Sequence, residues 1–491
     1  MEEKVKLEQF EENPMRKIQW LTLIVSIVLI LSLVLTPMTA SAAMSAYDEV
    51  KYYLSNYHVS GITEEQLTAP TIDGMIKQLN DPYTVYFTKE EADSFTSSIN
   101  QSYVGIGVRI NDSDKGVYVV EVFQGSPAEA AGIKAGDIFY SVNGVLSKGK
   151  KTDVLVTEVK GPEGTTVKVV MVRDGKQVTF NMIRKPIQIP VVTQHWFKDG
   201  KVGYLNISSF SSNLKEDVYK SLTQYEKSGM KSLILDLRNN PGGYLNAAKD
   251  LAELFSEKGI LIHTKDRNGL DDPIIYTNGR KVNYKIIVLV NENSASASEV
   301  FTGVVQDYKL GTTIGTKTFG KGSVQQLVDL SQSNGGMLKI TVEEYLTPLQ
   351  RKVNKTGLTP DIVVQGSIPQ MLTALNQAMV NPIHLQFNEK TTLISGYTIN
   401  EPVTTVSKNG TTYIPSRIAA ALTGSALAWN ATNGQLSLKS AAKNNVYTLA
   451  AKTALLDKGV TYVSLKALQA TFAKLTFKIN GKVVSVSYTK G

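Results

Sequence analysis

The chain has 491 residues, 42% hydrophobic and 20% charged, with a formal net charge of +8, 37 glycines, 16 prolines and no cysteine. At roughly 100–200 residues per domain this length calls for several folded units, and the composition excludes a disordered chain, a collagen and a multi-span membrane protein. The absence of cysteine excludes disulfides, thiolate metal sites, iron–sulfur clusters and cysteine nucleophiles, and the thin basic excess, with no basic run interleaved with aromatics, argues against nucleic acid as a partner.

The segment Ile18 to Thr36 is apolar apart from Gln19, Thr22, Ser26, Ser32 and Thr36, follows Arg16 and Lys17, and stops at Pro37. It is long for a signal-peptide core and just long enough to span a bilayer, while Ala40-Ser41-Ala42 and Ser41-Ala42-Ala43 offer the small residues of a cleavage site. Residues 1–43 are therefore read as a cleaved signal or a retained membrane anchor, and both stay open. Either places the remainder outside the cytoplasm, with Arg16 and Lys17 inside. The weak positive charge reads as a solvated surface, with attraction to an anionic envelope or wall as the sharper alternative.

Residues 44–99 carry helical apolar spacing in Tyr47, Val50, Tyr53, Leu54 and in Ile72, Met75, Ile76, Leu79, broken by Asp81-Pro82, and predict a helical arm. Residues 100–186 change to short β-rich runs between glycine turns, such as Val117-Tyr118-Val119-Val120 and Val167 to Val172, the texture of a small β-domain. From 187 to 375 strands and helices alternate: Val202 to Leu205, a helix near 213–227, the run Leu233 to Leu237, a helix after Pro241, the run Ile286 to Val290, and a helix from about Ser296. That alternation predicts a layered α/β core. Residues 382–491 contain a repeat. Gly410-Thr411-Thr412-Tyr413-Ile414-Pro415, Trp429 and Asn433-Gly434 are echoed by Gly459-Val460-Thr461-Tyr462-Val463-Ser464, Phe477 and Asn480-Gly481, which predicts a duplicated small αβ unit used for binding or spacing.

Three turns carry the chemistry. The four histidines, His58, His195, His263 and His384, stand singly with no paired-ligand spacing, so no metal site is expected and a serine enzyme would need another base. Ser294-Ala295-Ser296-Ala297-Ser298-Glu299 follows the Ile286–Val290 run, where small residues let a hydroxyl stand at a helix N-terminus, though serine is also an ordinary cap there. Arg238-Asn239-Asn240-Pro241-Gly242-Gly243 permits positive φ and exposed N–H groups, as an oxyanion hole or a plain tight turn. Thr318-Phe319-Gly320-Lys321-Gly322-Ser323 sets a lysine between glycines, as a base or a surface residue.

Taken in order, with Leu79-Asn80-Asp81-Pro82-Tyr83-Thr84 upstream and Gly357-Leu358-Thr359-Pro360-Asp361-Ile362 downstream, these segments resemble the carboxyl-terminal processing proteases, tail-specific serine peptidases with a Ser-Lys dyad. The resemblance spans residues 45–375. It implies a crotonase-like layered core, Ser296 as nucleophile with Ser294 and Ser298 as the competing serines, Lys321 as general base, and Gln325 as the residue orienting the lysine. It also implies the N–H groups of Gly242 and Ala297 as the oxyanion hole. No cofactor is implied. A lysine base working near neutrality needs its pKa of about 10.4 lowered by about three units, for which burial beside Phe319 is the expected source. Gln350 departs from the family, which usually has glycine there, and puts that turn in doubt.

Residues 100–186 resemble a PDZ domain, in which Tyr103, Val104, Gly105, Ile106, Gly107 and Val108 would bind the C-terminal carboxylate of a protein or peptide substrate, added as a strand. The repeat at 382–491 resembles the copper amine oxidase N-terminal-like domain, without copper chemistry. The expected protein is a multidomain α+β and α/β chain: signal or anchor, helical arm, PDZ domain, protease core and duplicated module. It would be an extracytoplasmic endopeptidase cutting near C-termini, with self-association into a homodimer through residues 44–99. A catalytically silent scaffold that captures tails is the alternative, and a crotonase-type acyl-CoA enzyme is a third class.

Overall fold

The computed structural model describes residues 44–331, 336–440 and 443–490. The apolar segment expected as signal or anchor lies outside the described residues, among which no helix is long and apolar enough to cross a membrane.

The central sheet has six strands side by side in chain order, Val192–Phe197, Val202–Ile207, Ser232–Asp236, Lys285–Val290, Gly311–Gly315 and Ile362–Val363. The first pair is antiparallel and the rest are parallel. Parallel neighbours need crossovers, and the helices Leu214–Lys227, Leu245–Glu253 and Ala297–Asp307 supply three of them. Successive side chains serve opposite faces. Leu205, Leu233, Leu235 and Val288 pack under these crossover helices. Tyr204, Ile234, Ile287 and Leu289 pack on the other face beneath the helix Ser367–Gln377 and the C-terminal module.

A second, antiparallel sheet forms around the ten-residue strand Met337–Leu346, which pairs with Val85–Phe87, Ser323–Asp329 and Gly259–Lys265. The strand Val85–Phe87 was not expected in a helical arm. Its β-branched and aromatic residues follow the break at Pro82, and pairing with Met337–Lys339 overrides the helical context. The arm is in consequence part of the core: Val50, Leu54, Leu67 and Met75 pack against Leu338 and Ile340.

The β-domain has the strand order Val108–Asn111, Tyr118–Val122, Ile138–Val142, Thr166–Arg173, Lys176–Ile183, closed over Ile106, Phe139, Leu155 and Val169. Its neck is the two-stranded pair Ser102–Gly105 with Lys185–Gln188. The chain enters this neck directly from the helix Lys89–Ile99.

Each copy of the C-terminal repeat is strand, helix, strand, strand. The first comprises Thr411–Pro415, Ser416–Thr423, Ala426–Asn430 and Gln435–Lys439, and the second Val460–Ser464, Leu465–Thr471, Leu475–Asn480 and Val483–Tyr488. The two first strands pair antiparallel with Ile414 opposite Val463, which are equivalent residues at the offset of 49 (463 − 414), so a local two-fold axis passes through that pair. The module shares its interior with the protease core, where Ile414, Leu422 and Val463 belong to one cluster with Met371 and Leu375. Asn376 Nδ2 crosses this junction, donating to the carbonyls of Ala421 (2.7 Å) and Leu422 (3.2 Å).

Candidate active site

The three serines of the Ser294–Ser298 turn have different fates. Ser294 is fully buried and donates to Leu237 O at 2.8 Å, and Ser298, equally buried, donates to Asn240 O at 3.0 Å. Both hydroxyls stitch this turn to the glycine turn. Ser296 alone faces a cavity of about 330 Å³. Its backbone has φ +54° and ψ −118°, a left-handed conformation that costs a non-glycine residue on the order of 1–3 kcal/mol.

Glu299 holds that turn in place. Its buried carboxylate accepts Ser296 N (3.1 Å) and Lys321 N (2.8 Å) on Oε2, and Thr318 Oγ1 (2.6 Å) and Gly320 N (2.7 Å) on Oε1. Burial pushes the Glu299 carboxyl up, and these four donors oppose the rise by favouring its charge. The serine turn and the lysine loop are thereby fixed to one side chain. Tyr345, also fully buried, donates to Ser296 O at 3.3 Å.

Lys321 lines the same cavity, with its Nζ 4.8 Å from the centre of the Tyr83 ring. Burial lowers its pKa to about 8, the charge of Lys339 adds to the fall, and Asp81 and Glu299 oppose it. Phe319 is not the cause: it is 57% exposed and points away from this role. The ring that does face the Lys321 ammonium is that of Tyr83, held by the Asp81 carboxylate, which accepts Tyr83 N, Thr84 Oγ1 and His58 Nε2. Burial works against the Asp81 charge, yet the hydrogen bonds from His58 and Thr84 keep its carboxyl well below the usual range.

Gln325 also lines the cavity, but its amide donates to Ser323 Oγ (2.8 Å) and Thr341 Oγ1 (3.3 Å), so the expected direct hold on Lys321 is not made in this structure. The glycine turn departs from expectation too. Gly242 N is donated to Asn240 Oδ1 at 2.8 Å, turning one of the two expected oxyanion donors inward, while Ala297 stands at the first position of its helix, where an N–H has no intrahelical acceptor. Glycine is required at 242 by φ +105° and by space: a Cβ there would lie 2.8 Å from both Ala295 O and Ser296 Cβ. At Gln350 the turn expected to need glycine forms regardless, with Gln350 at φ +57° and its N–H donated to Thr347 O.

Behind the glycine turn, Arg238 Nε bonds Asp236 Oδ1 (2.8 Å) and Arg238 Nη1 bonds Ser367 O (2.9 Å). Tyr204 Oη donates to Asp236 Oδ2 (2.8 Å) and stands 3.1 Å from Tyr397 Oη of the C-terminal module. In the β-domain, strand Val108–Asn111 pairs with Tyr118–Val122 on one side and with no strand of the described residues on the other. The Tyr103 ring lies over Gly105, where a Cβ would come within 2.7 Å of it, and Lys160 Nζ is 5.0 Å from the ring centre. Burial raises the Tyr103 phenol to about 12, against N–H groups of Val108 and Gly107 directed at its oxygen. Val104 and Gly105 belong to the neck strand, and Ile106 is buried in the domain core.

Three family models match the chain: peptidase family S41 over residues 201–364, the PDZ domain over 104–183, and the activating protease CtpB N-terminal domain over 39–91. A protein of Staphylococcus aureus (strain bovine RF122 / ET3-1), described as a probable CtpA-like serine protease, is 35% identical over 341 residues, 69% of this chain and 68% of the relative. A protein of Staphylococcus haemolyticus with the same description is 35% identical over 66% of this chain and 65% of the relative. Among solved structures, the photosystem II D1 C-terminal processing protease is 29% identical with a TM-score of 0.42, covering 65% of this chain and 92% of that one. The family models and the staphylococcal relatives make the chain a serine-type peptidase carrying a PDZ domain. It belongs to the C-terminal processing proteases of peptidase family S41.

Residues 382–491 lie beyond the three matched ranges. The residues that the sequence reading did not single out are Glu299, Tyr83, Lys339, Tyr345 and Asn240. Only Glu299 carried a usable local signal, since it stands three residues after Ser296, the spacing of a capping box.

Proposed function

We propose that the chain is an extracytoplasmic endopeptidase that cuts proteins near their C-termini through a Ser296–Lys321 dyad, with the PDZ domain receiving substrate tails and gating cleavage. The observation that carries this reading is the Glu299 bridge, which ties the strained Ser296 and the depressed Lys321 around one chamber. Neutral Lys321 takes the Ser296 proton as Oγ attacks the scissile carbonyl. The Ala297 N–H receives the oxyanion, joined by Gly242 once Asn240 Oδ1 releases it. The protonated lysine then gives its proton to the leaving amine, and water resolves the acyl-enzyme. In this reading the inward Gly242 N–H marks a resting chamber that substrate must reset. Export through residues 1–43, contact with membrane or wall, and self-association through the arm belong to the same reading.

Ser296→Ala and Lys321→Ala are each expected to abolish cleavage of a purified tail-bearing substrate while tail binding persists. Cleavage by both variants would overturn the dyad and favour another nucleophile. Deleting 100–186 should remove the dependence of cleavage on the substrate tail.

A further inference from the structure

The catalytic chamber contains a second lysine that the dyad does not use. Among the described residues lining the chamber, Lys321 and Lys339 are the only charged ones, and no carboxylate is among them. Lys339 sits on the strand Met337–Leu346, opposite Val85 on one side and Leu327 on the other. Its Nζ lies 4.9 Å from the centre of the Phe95 ring and 5.6 Å from that of Phe87, and the two rings stack at 4.9 Å.

Aromatic faces hold an ammonium in place while leaving N–H donors free for a further partner. No ion pair to Lys339 exists among the described residues, and the acid whose charge reaches it, Asp81, is engaged by His58, Tyr83 and Thr84. Burial disfavours the Lys339 charge, so an anion arriving from outside would relieve a cost already present. With Lys321 committed to the dyad, Lys339 is the remaining cationic side chain among the described residues of the chamber wall. The surrounding wall is otherwise apolar or neutral, with Phe95, Ile99, Val300 and Leu327.

We propose that Lys339 is an anchoring subsite for a carboxylate of the substrate, which makes the enzyme selective for peptides that bring an acidic group beside the scissile bond. This rests on the dyad reading above and adds to it the chemistry of the residue that enters the chamber. The carboxylate has two sources, the C-terminus of a short leaving peptide or an Asp or Glu side chain.

The test uses the full chain and one peptide series identical except for two features: a free acid or an amide at the C-terminus, and Glu or Gln at each position flanking the cleaved bond. A preference of about tenfold in kcat/KM for one carboxylate form is expected, as for a charge-assisted hydrogen bond, and its position in the series identifies the source. Lys339→Met should bring the ratio near one, and Lys339→Arg should retain it. The same ratio is read as binding affinity in Ser296→Ala and in Ser296→Ala/Lys339→Met, with thermal melts reporting that each variant is folded. A carboxylate preference that survives Lys339→Met belongs to the PDZ domain and overturns the subsite, as does the absence of any preference. Cleavage by Ser296→Ala would overturn the dyad alone, and the affinity ratios would still decide the subsite.

Discussion

Glu299 Oε2 accepts the Lys321 backbone N–H at 2.8 Å, and the same oxygen accepts the Ser296 N–H at 3.1 Å. One acidic side chain thus sets the distance between the two chain segments whose side chains form the proposed dyad. Glu299→Gln replaces an acceptor-only group by one bearing an NH₂, which faces two of its four donors. We expect kcat to fall by about 100-fold, the scale of a misplacement near 1 Å, with circular dichroism unchanged. Wild-type kcat in this variant would remove Glu299 from the positioning of the dyad.

The pH dependence follows from Lys321. Its working form is the neutral amine, which is depleted as pH falls below about 8. The value of kcat/KM should rise about tenfold per unit up to that point and level above it. The groups facing Lys321 are Tyr83, Asp81, Glu299 and Lys339. Of these only Lys339 pushes the pKa down by charge, so Lys339→Met should move the midpoint upward. A profile already flat from pH 6 would contradict this.

Gly242→Ala places a methyl against Ser296 Cβ and Ala295 O at 2.8 Å, on a backbone with φ +105°. The turn must shift to accept it. Loss of an oxyanion donor costs about 10²–10³ in kcat, and the variant is expected to fall in that range while tail affinity at the PDZ domain persists.

Tyr103 covers the loop that the PDZ reading gives to a carboxylate, with its phenol oxygen facing the N–H groups of Gly107 and Val108. Tyr103→Phe frees those donors without altering the ring. Affinity for a tail peptide, followed by fluorescence anisotropy, should rise several-fold. A fall would mean that the hydroxyl assists the ligand rather than competing with it.

Asn376→Ala removes the donor to the Ala421 and Leu422 carbonyls at the junction with the C-terminal module. Ala421 O keeps the Gly424 N–H at 3.4 Å, and leaving the Leu422 carbonyl without its Asn376 donor costs about 1–3 kcal/mol. Because Met371 and Leu422 share one interior, calorimetry should show a lower midpoint in a transition that the module and the core undergo together.

The segments around Ser296, Lys321 and the glycines were legible as turns, while their roles came from the resemblance of the segments in order, since each alone also fitted a cap, a surface lysine or a plain tight turn. Gln325 was legible as a neighbour but not as a contact, since its amide partners are Ser323 and a residue on the next strand, Thr341. Lys339 was hidden for the same reason: strand pairing between 85–87 and 337–339 brings it to the chamber, and no local pattern records a partner some 250 residues away. The choice of Phe319 as the apolar neighbour of Lys321 relied on nearness in sequence, where Gly320 between them, at φ +92°, turns the chain and leaves Phe319 exposed. In the last hundred residues the repeat spacing foretold two αβ copies, but not that they would share a core with the protease helix Ser367–Gln377.

The helix Lys89–Ile99 lines the catalytic chamber with Phe95, Ser98 and Ile99, and its chain runs on into the neck strand Ser102–Gly105. At 1.5 Å per residue its 11 residues make a rod of about 16 Å. The chamber wall and the neck of the PDZ domain are consecutive in the chain, joined only by the turn Asn100-Gln101, in which Gln101 has φ +51°. In the proposed reading a tilt of the domain reaches the chamber's bore through this two-residue turn, by way of the Phe95 face that steadies Lys339.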